Sequence, residues 1–148
     1  MSGNVHNPAD VTNIQADIDL IEEDANAIRE VTDSEPILSE ISGQITTDGT
    51  EQILYINTAP AGIFRPVVIQ IDFTNHTAGE TVVLREYYRI APGGAFIQQD
   101  INTYAGVPAN PLIKINPEPT RYGIRITIQK TVGTNRAYDW EVFYEEAP

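Results

Sequence analysis

Apolar side chains recur along the chain at two periods, and the change from one to the other divides it. In "VTNIQADIDLIEEDANAIREV" (11–31), Val11, Ile14, Ile18, Ile21, Ala25 and Ile28 follow one another at steps of 3-4-3-4-3. That spacing predicts a helix carrying a narrow a/d seam of the coiled-coil kind, not a broad core-facing stripe. Asp10 or Thr12 is expected to cap it, since either side chain can accept from the free N–H groups of the first turn. "DSEP" should end it, because the residue before Pro36 is pushed out of the α region. About 22 helical residues at about 1.5 Å each make a rod of roughly 33 Å. "PILSEIS" then reads as a short amphipathic turn leading to Gly43.

From Gln44 the period falls to two. Strands are expected at 44–47, 51–58, 64–74, 81–90, 95–104, 111–116, 122–131 and 137–146. "YGIRITIQK" sets Ile124, Ile126 and Ile128 against Arg125, Thr127 and Gln129. "RPVVIQIDFT" aligns Val67, Ile69, Ile71 and Phe73 on one face, and "AYDWEVFYEE" aligns Tyr138, Trp140, Val142 and Tyr144. One dry and one wet face per strand predicts antiparallel sheets, and many short strands with turn residues between them predict a sandwich. "TDGT" (47–50), "TAGET" (77–81) and "TVGT" (131–134) each place Gly where a hairpin would need positive φ. The expected fold is mainly β: an antiparallel, jelly-roll-like β-sandwich with an N-terminal α-helix. Its parts are a flexible arm (1–10), a helical stalk (11–42) and the sandwich (43–148).

Charge sharpens this division. The 148 residues carry a net charge of −12. Ten acids stand in residues 1–42 against Arg29 alone, while the rest holds eleven acids and eight bases. Such a surface repels phosphate backbones, which argues against nucleic-acid binding. Arg85, Arg89, Arg121 and Arg125 sit among acids and form no basic run. The absence of cysteine removes disulfides, thiolate metal sites and cysteine nucleophiles. "MSGNVHNPAD" lacks a signal-peptide pattern, and no stretch is apolar enough to cross a bilayer, so a cytoplasmic product without membrane contact is expected.

Candidate chemistry is sparse. The two histidines are His6, in the arm, and His76, in the "TNHTAGE" turn, where a solvent-exposed loop position is expected. Neither has a nucleophile elbow, and the chain contains no H-E-x-x-H, phosphate-loop or EF-hand spacing. Glu86, Asp139 and Glu141 could form a carboxylate pair, but their strand positions favour a solvent face paired with Arg85, Arg89 or Arg125. The helix acids Asp17, Asp19, Glu22, Glu23 and Asp24 are spread around a rod and not gathered in a loop, so no metal site is assigned to them. Trp140 is expected in the core. Tyr104, in the long loop "INTYAGVPANPLI", is the candidate exposed aromatic ligand contact. No catalytic residue, cofactor or metal is expected, and the chain reads as a non-enzyme.

The seam carries the functional expectation. A single helix of this length is marginal in water and must bury its isoleucines, either against copies of itself or against its own head or another protein. Ile at a (Ile18) and at d (Ile14, Ile21, Ile28) favours three or more strands, so a homotrimer is the expected self-association. In a parallel bundle Asp17 and Glu22 would repel, and the stalk should tighten as pH falls or salt rises. A polar arm, a short oligomerising helix and a β-sandwich head together resemble accessory virion proteins of tailed phages, the capsid decoration or cement proteins and small fibre heads. The resemblance lies in the layout of the whole chain. It implies a trimer seated on a major capsid or other virion protein, and a virion location. The alternative expectation is a multivalent β-sandwich module for carbohydrate or another surface ligand.

Overall fold

The computed structural model describes residues 8–33 and 37–146. The arm before Pro8, with His6, lies outside these residues. The chain divides into two compact units, one containing the helix and the other spanning Leu38–Glu146.

The helix, α1, runs Pro8–Asp33. It starts earlier than Asp10 or Thr12 could cap it. Proline suits a first helical position, where its missing N–H costs no bond and its fixed φ is already helical. The helix runs as far as Asp33, and the expected stop at Pro36 lies outside the described residues. At 26 residues the rod is about 39 Å long. Among the described residues no helix is long and apolar enough to cross a membrane.

The head contains β1 (Ile37–Thr46), β2 (Gln52–Asn57), β3 (Arg65–Asp72), β4 (Thr81–Tyr88), β5 (Ile97–Ala105), β6 (Leu112–Ile115), β7 (Ile124–Val132) and β8 (Ala137–Glu146). They form two four-stranded sheets, in the orders β1-β8-β3-β6 and β2-β7-β4-β5. Apart from the β4–β5 hairpin, each connection crosses from one sheet to the other. That interleaving is the jelly-roll arrangement, in which neither sheet is complete until the chain has crossed several times.

Two expectations fail here, and both failures are tertiary. The "PILSEIS" segment is no turn: Ile37–Ser42 extends into β1, an edge strand beside β8. The Thr47 N–H donates to the Arg136 carbonyl at 3.0 Å, and the Gln44 amide donates to Asp139 at 2.7 Å. Gly43, placed at the boundary by sequence, lies within this strand. A Cβ there would come within 2.8 Å of the Trp140 ring, so only glycine lets β1 pass close to it. The three glycine turns are no hairpins either, because 47–51, 73–80 and 133–136 all pass between sheets. Gly49 and Gly133 take the positive φ expected of them, whereas Gly79 does not.

The core lies between the sheets. Ile69, Ile71 and Phe73 meet Val82, Leu84, Ile124, Ile126, Ile128, Tyr138 and Val142, all essentially sealed from solvent. Each such aliphatic side chain contributes roughly 1.5–3 kcal/mol, which makes this cluster the main stabiliser of the head. Ile124, Ile126 and Ile128 face inward together, as their alternation predicts. In β3 the alternation breaks. Val67 is 45% exposed, while Phe64 and Pro66 are buried. A bulge between Pro66 and Val68 inserts the extra residue and reverses the parity before it. Pro66 lies outside the β6 ladder, which is registered with Ile69–Asp72, and pairs with β8 alone.

Candidate functional site

On α1, Ile14, Ile18, Ile21, Ala25 and Ile28 fall in one stripe roughly 80° wide at 100° per residue. All five are exposed, Ile14 at 54%, Ile18 at 42%, Ile21 at 66% and Ile28 at 67%. The side chain of Val11 lies outside the described residues. Leu20, outside the seam, is exposed as well. The flanking acids form a wet surface on which the Gln15 amide donates to Asp19 at 2.9 Å. Among the described residues no group of three or more acids or histidines is arranged to hold a metal ion.

The head contains a polar constellation the sequence reading missed. His76 is not exposed: it is 3% accessible and lies against Phe73 and Tyr138. Beside it, the buried Lys130 ammonium donates to Glu80 Oε2 at 2.9 Å and to the Tyr138 hydroxyl at 2.8 Å. Arg136 Nε donates to the other Glu80 oxygen at 2.6 Å, and the Thr77 N–H donates to Oε2 at 3.0 Å. The Tyr138 hydroxyl, which accepts from Lys130, also lies 3.0 Å from His76 Nδ1. Burial would raise the Glu80 pKa, but its bonds from Lys130, Arg136 and Thr77 outweigh this and hold it at about 2. Burial, followed by the Lys130 charge, pushes His76 down, against the pull of Glu80. Glu80 thereby ties the 73–80 connection to β7 and to the 133–136 connection ahead of β8. His76 Nε2 is buried without a hydrogen-bond partner, while the bonds through Glu80 and Lys130 brace three segments.

The sequence did carry a signal for it. Lys130 continues the inward parity of Ile124, Ile126 and Ile128, and a lysine at a core position needs a buried carboxylate. Nothing in the local sequence marks His76, because the 73–80 connection is drawn in by its contacts with Phe73 and Tyr138 and not by its own composition.

The other candidates also move. Tyr104 belongs to β5, not to a loop, and is half-buried with its ring edge-on to Phe73 at 5.3 Å. It is not an exposed ligand contact. Glu86 is not on a solvent face: it follows Val82 and Leu84 inward and is buried, accepting from the Tyr88 hydroxyl at 3.2 Å. Burial pushes its pKa up, only partly offset by Tyr88, and Asp100 and Glu118 raise it further. Asp139 and Glu141 do lie on the outer face of their sheet, where with Glu40 and Asp72 they line an acidic hollow of about 450 Å³. Arg85 pairs with Glu51 at 3.6 Å, not with any of these three acids. Arg89 and Arg125 lie over the Phe96 ring at 4.4 and 4.9 Å, and Arg125 also covers Tyr87 at 4.3 Å. Arginines scattered in sequence thus gather on one sheet face around two aromatic rings. Trp140 packs against the core as expected.

No protein-family model and no curated protein matches the chain. Among solved structures, a chain of the disulfide-linked pili of Bacillus endospore appendages is similar, at 12% identity and a TM-score of 0.45. The match covers 78% of this chain and 91% of that one. Disulfide linkage is closed to this chain, which has no cysteine.

Proposed function

We propose that this is a non-enzymatic assembly protein whose helix joins it to copies of itself, presenting jelly-roll heads on a short stalk. The observation that carries the reading is the exposed seam: four isoleucines in one stripe of a helix whose other faces are mainly polar and acidic, with Leu20 the large apolar exception. An isoleucine left in water forgoes roughly 1.5–3 kcal/mol, and four per chain are enough to offset the cost of association. With Ile at both a and d, the expected state is a parallel homotrimer. The finer reading is a virion accessory protein, of the capsid decoration or cement kind, bound to a protein lattice. The acidic outer side of the stalk would then face that lattice or solvent.

Light scattering on the full chain and on its Ile18→Asp/Ile21→Asp variant tests the assembly. The expected masses are a trimer and a monomer, with unchanged near-ultraviolet circular dichroism of the head. A monomeric parent would overturn the reading. Binding to purified capsids, with electron microscopy, tests the virion reading, which a bare lattice would sink. The second reading, a ligand-binding module, draws support from a cleft in the head.

A further inference from the structure

At one end of the head, the exit of β4, the entry of β5 and the 116–122 connection line an open cleft of about 570 Å³. That size suits a small ligand. Its walls are pinned by the backbone. Phe64 and Thr120 exchange N–H···O bonds at 2.8 and 3.0 Å, Arg89 N–H donates to Gly123 O at 3.0 Å, and Glu118 N–H donates to the Tyr88 hydroxyl at 2.7 Å. Gly123, at φ +139°, admits the close pass of Asn57, whose carbonyl would lie 2.7 Å from any Cβ. The cleft is therefore formed before any ligand arrives, which lowers the ordering cost of binding.

Its lining is amphiphilic. Ile90 is 76% exposed and Ile97 55%, and the half-buried Tyr122 ring lies beside them. Between these apolar patches stand planar polar groups: Gln98, Gln99, the Glu118 carboxylate and the Arg121 guanidinium. Arg121 lies over Tyr122 at 5.8 Å and makes no ion pair among the described residues. Flat side-chain amides, carboxylates and guanidinium groups can each meet two neighbouring hydroxyls, and apolar and aromatic surfaces suit the C–H faces of a pyranose. Glu118 and Arg121, opposite in charge, both line the cleft. Residues 43–148 hold eleven acids against eight bases, so the head is close to neutral and its charge does not select an ionic ligand.

We propose that this cleft is a binding site for a neutral saccharide, with Tyr122, Ile90 and Ile97 against the sugar faces and Gln98, Gln99, Glu118 and Arg121 on its hydroxyls. The site belongs to the head and needs no neighbouring copy. A stalk that gathers several heads would add avidity to a weak single site.

The test is a nitrogen-15 NMR titration of the full chain with four neutral pentasaccharides, built on β-1,4-glucose, α-1,4-glucose, β-1,4-mannose and β-1,4-N-acetylglucosamine. Each is carried to about 10 mM, above the millimolar dissociation constant expected of one small site. At least one should shift the amides of Ile90, Ile97, Gln98, Arg121 and Tyr122 and leave Tyr104 and the helix unmoved. Tyr122→Ala should weaken that binding about 10-fold and Ile90→Ser about 3-fold, as expected for lost apolar contact. Ile90 is so exposed that its variant folds even if the tyrosine variant does not. Silence at these amides with all four sugars, shifts located elsewhere, or full affinity in Ile90→Ser would overturn the proposal. Shifts produced by an extended aliphatic peptide but by none of the sugars would make the cleft a peptide groove instead. The light-scattering mass is unaffected by any of these outcomes, so the failure of this site and the failure of the stalk are told apart.

Discussion

The helix and the head use isoleucine in opposite ways. Ile124, Ile126 and Ile128 in β7 are wholly enclosed, whereas Ile14, Ile18, Ile21 and Ile28 in α1 stand in solvent. Both sets follow the period of their own secondary structure without a break. They differ in what their element can supply: a sheet folded into two layers provides the surface that covers its apolar face, and a single helix has none to offer itself. The head covers the inner face of each sheet with the other sheet, while the isoleucine stripe of the helix is exposed.

Substitutions should separate the two regions. The largest effect is expected from Lys130→Met, which leaves Glu80 buried with only Arg136 and the Thr77 N–H as donors. Breaking a buried pair in this way costs about 3–5 kcal/mol. The urea midpoint followed by Trp140 fluorescence should fall accordingly, while the mass of the assembly stays the same under native conditions. A loss below about 1 kcal/mol would mean that the Glu80 cluster does not brace the head.

Next in size is Gly123→Ala, which forces a side chain into a positive-φ position against the Asn57 carbonyl and should cost about 1–3 kcal/mol. Gly79→Ala is its control, since that position has ordinary φ and open space around it. It should be neutral or slightly stabilising in the same urea titration.

Acid should act on the head through Glu80 and His76. Both pKa values are depressed by folding, so the unfolded chain binds more protons, and the stability they contribute is present only above their unfolded values. For His76 that contribution is lost as pH falls from 6.5 through its lowered value, and for Glu80 it is lost between 4.5 and about 2. Glu86 has the opposite sign. Its raised pKa means the fold prefers the neutral acid, so its contribution is full below 4.5 and is lost as pH rises through the raised value. Glu86→Gln should therefore stabilise the head at pH 7 and remove that rise in cost with pH. Thermal melts of both proteins at pH 5 and 8 check the sign, and a Glu86→Gln protein destabilised at pH 8 would contradict it.

The smallest effect concerns the stalk. Its like-charged neighbours, such as Asp17 and Glu22 in a parallel bundle, should each cost a few tenths of a kcal/mol at low salt. Raising sodium chloride should tighten self-association in sedimentation equilibrium and leave the urea midpoint of the head nearly unchanged.

Regular alternation was a reliable guide wherever a strand is paired along its length. Ile124 to Ile128 and Tyr138 to Val142 could be read directly, and most strand positions with them. The pattern misled where tertiary pairing sets the geometry. At Val67 a bulge shifts the parity, and nothing in "RPVVIQIDFT" announces it. Glycine turns gave the right turn chemistry at Gly49 and Gly133 but the wrong partners, because a jelly roll sends its turns across sheets and local sequence does not encode which sheet receives the chain. Ile37–Ser42 has an amphipathic pattern that suits a turn or an edge strand equally, and β8 decides between them. For the cleft, Ile90, Ile97 and Tyr122 lie on separate segments that only the fold unites. Lys130 was the legible clue left unread.

Circular dichroism melts at several protein concentrations test most directly whether the stalk is stabilised by other copies and the head by itself. The account predicts two transitions. The helical signal at 222 nm should melt at a temperature that rises with concentration, while the near-ultraviolet signal of Trp140 and the tyrosines melts at a fixed one. A helical transition independent of concentration, or one that coincides with the head at every concentration, would contradict it.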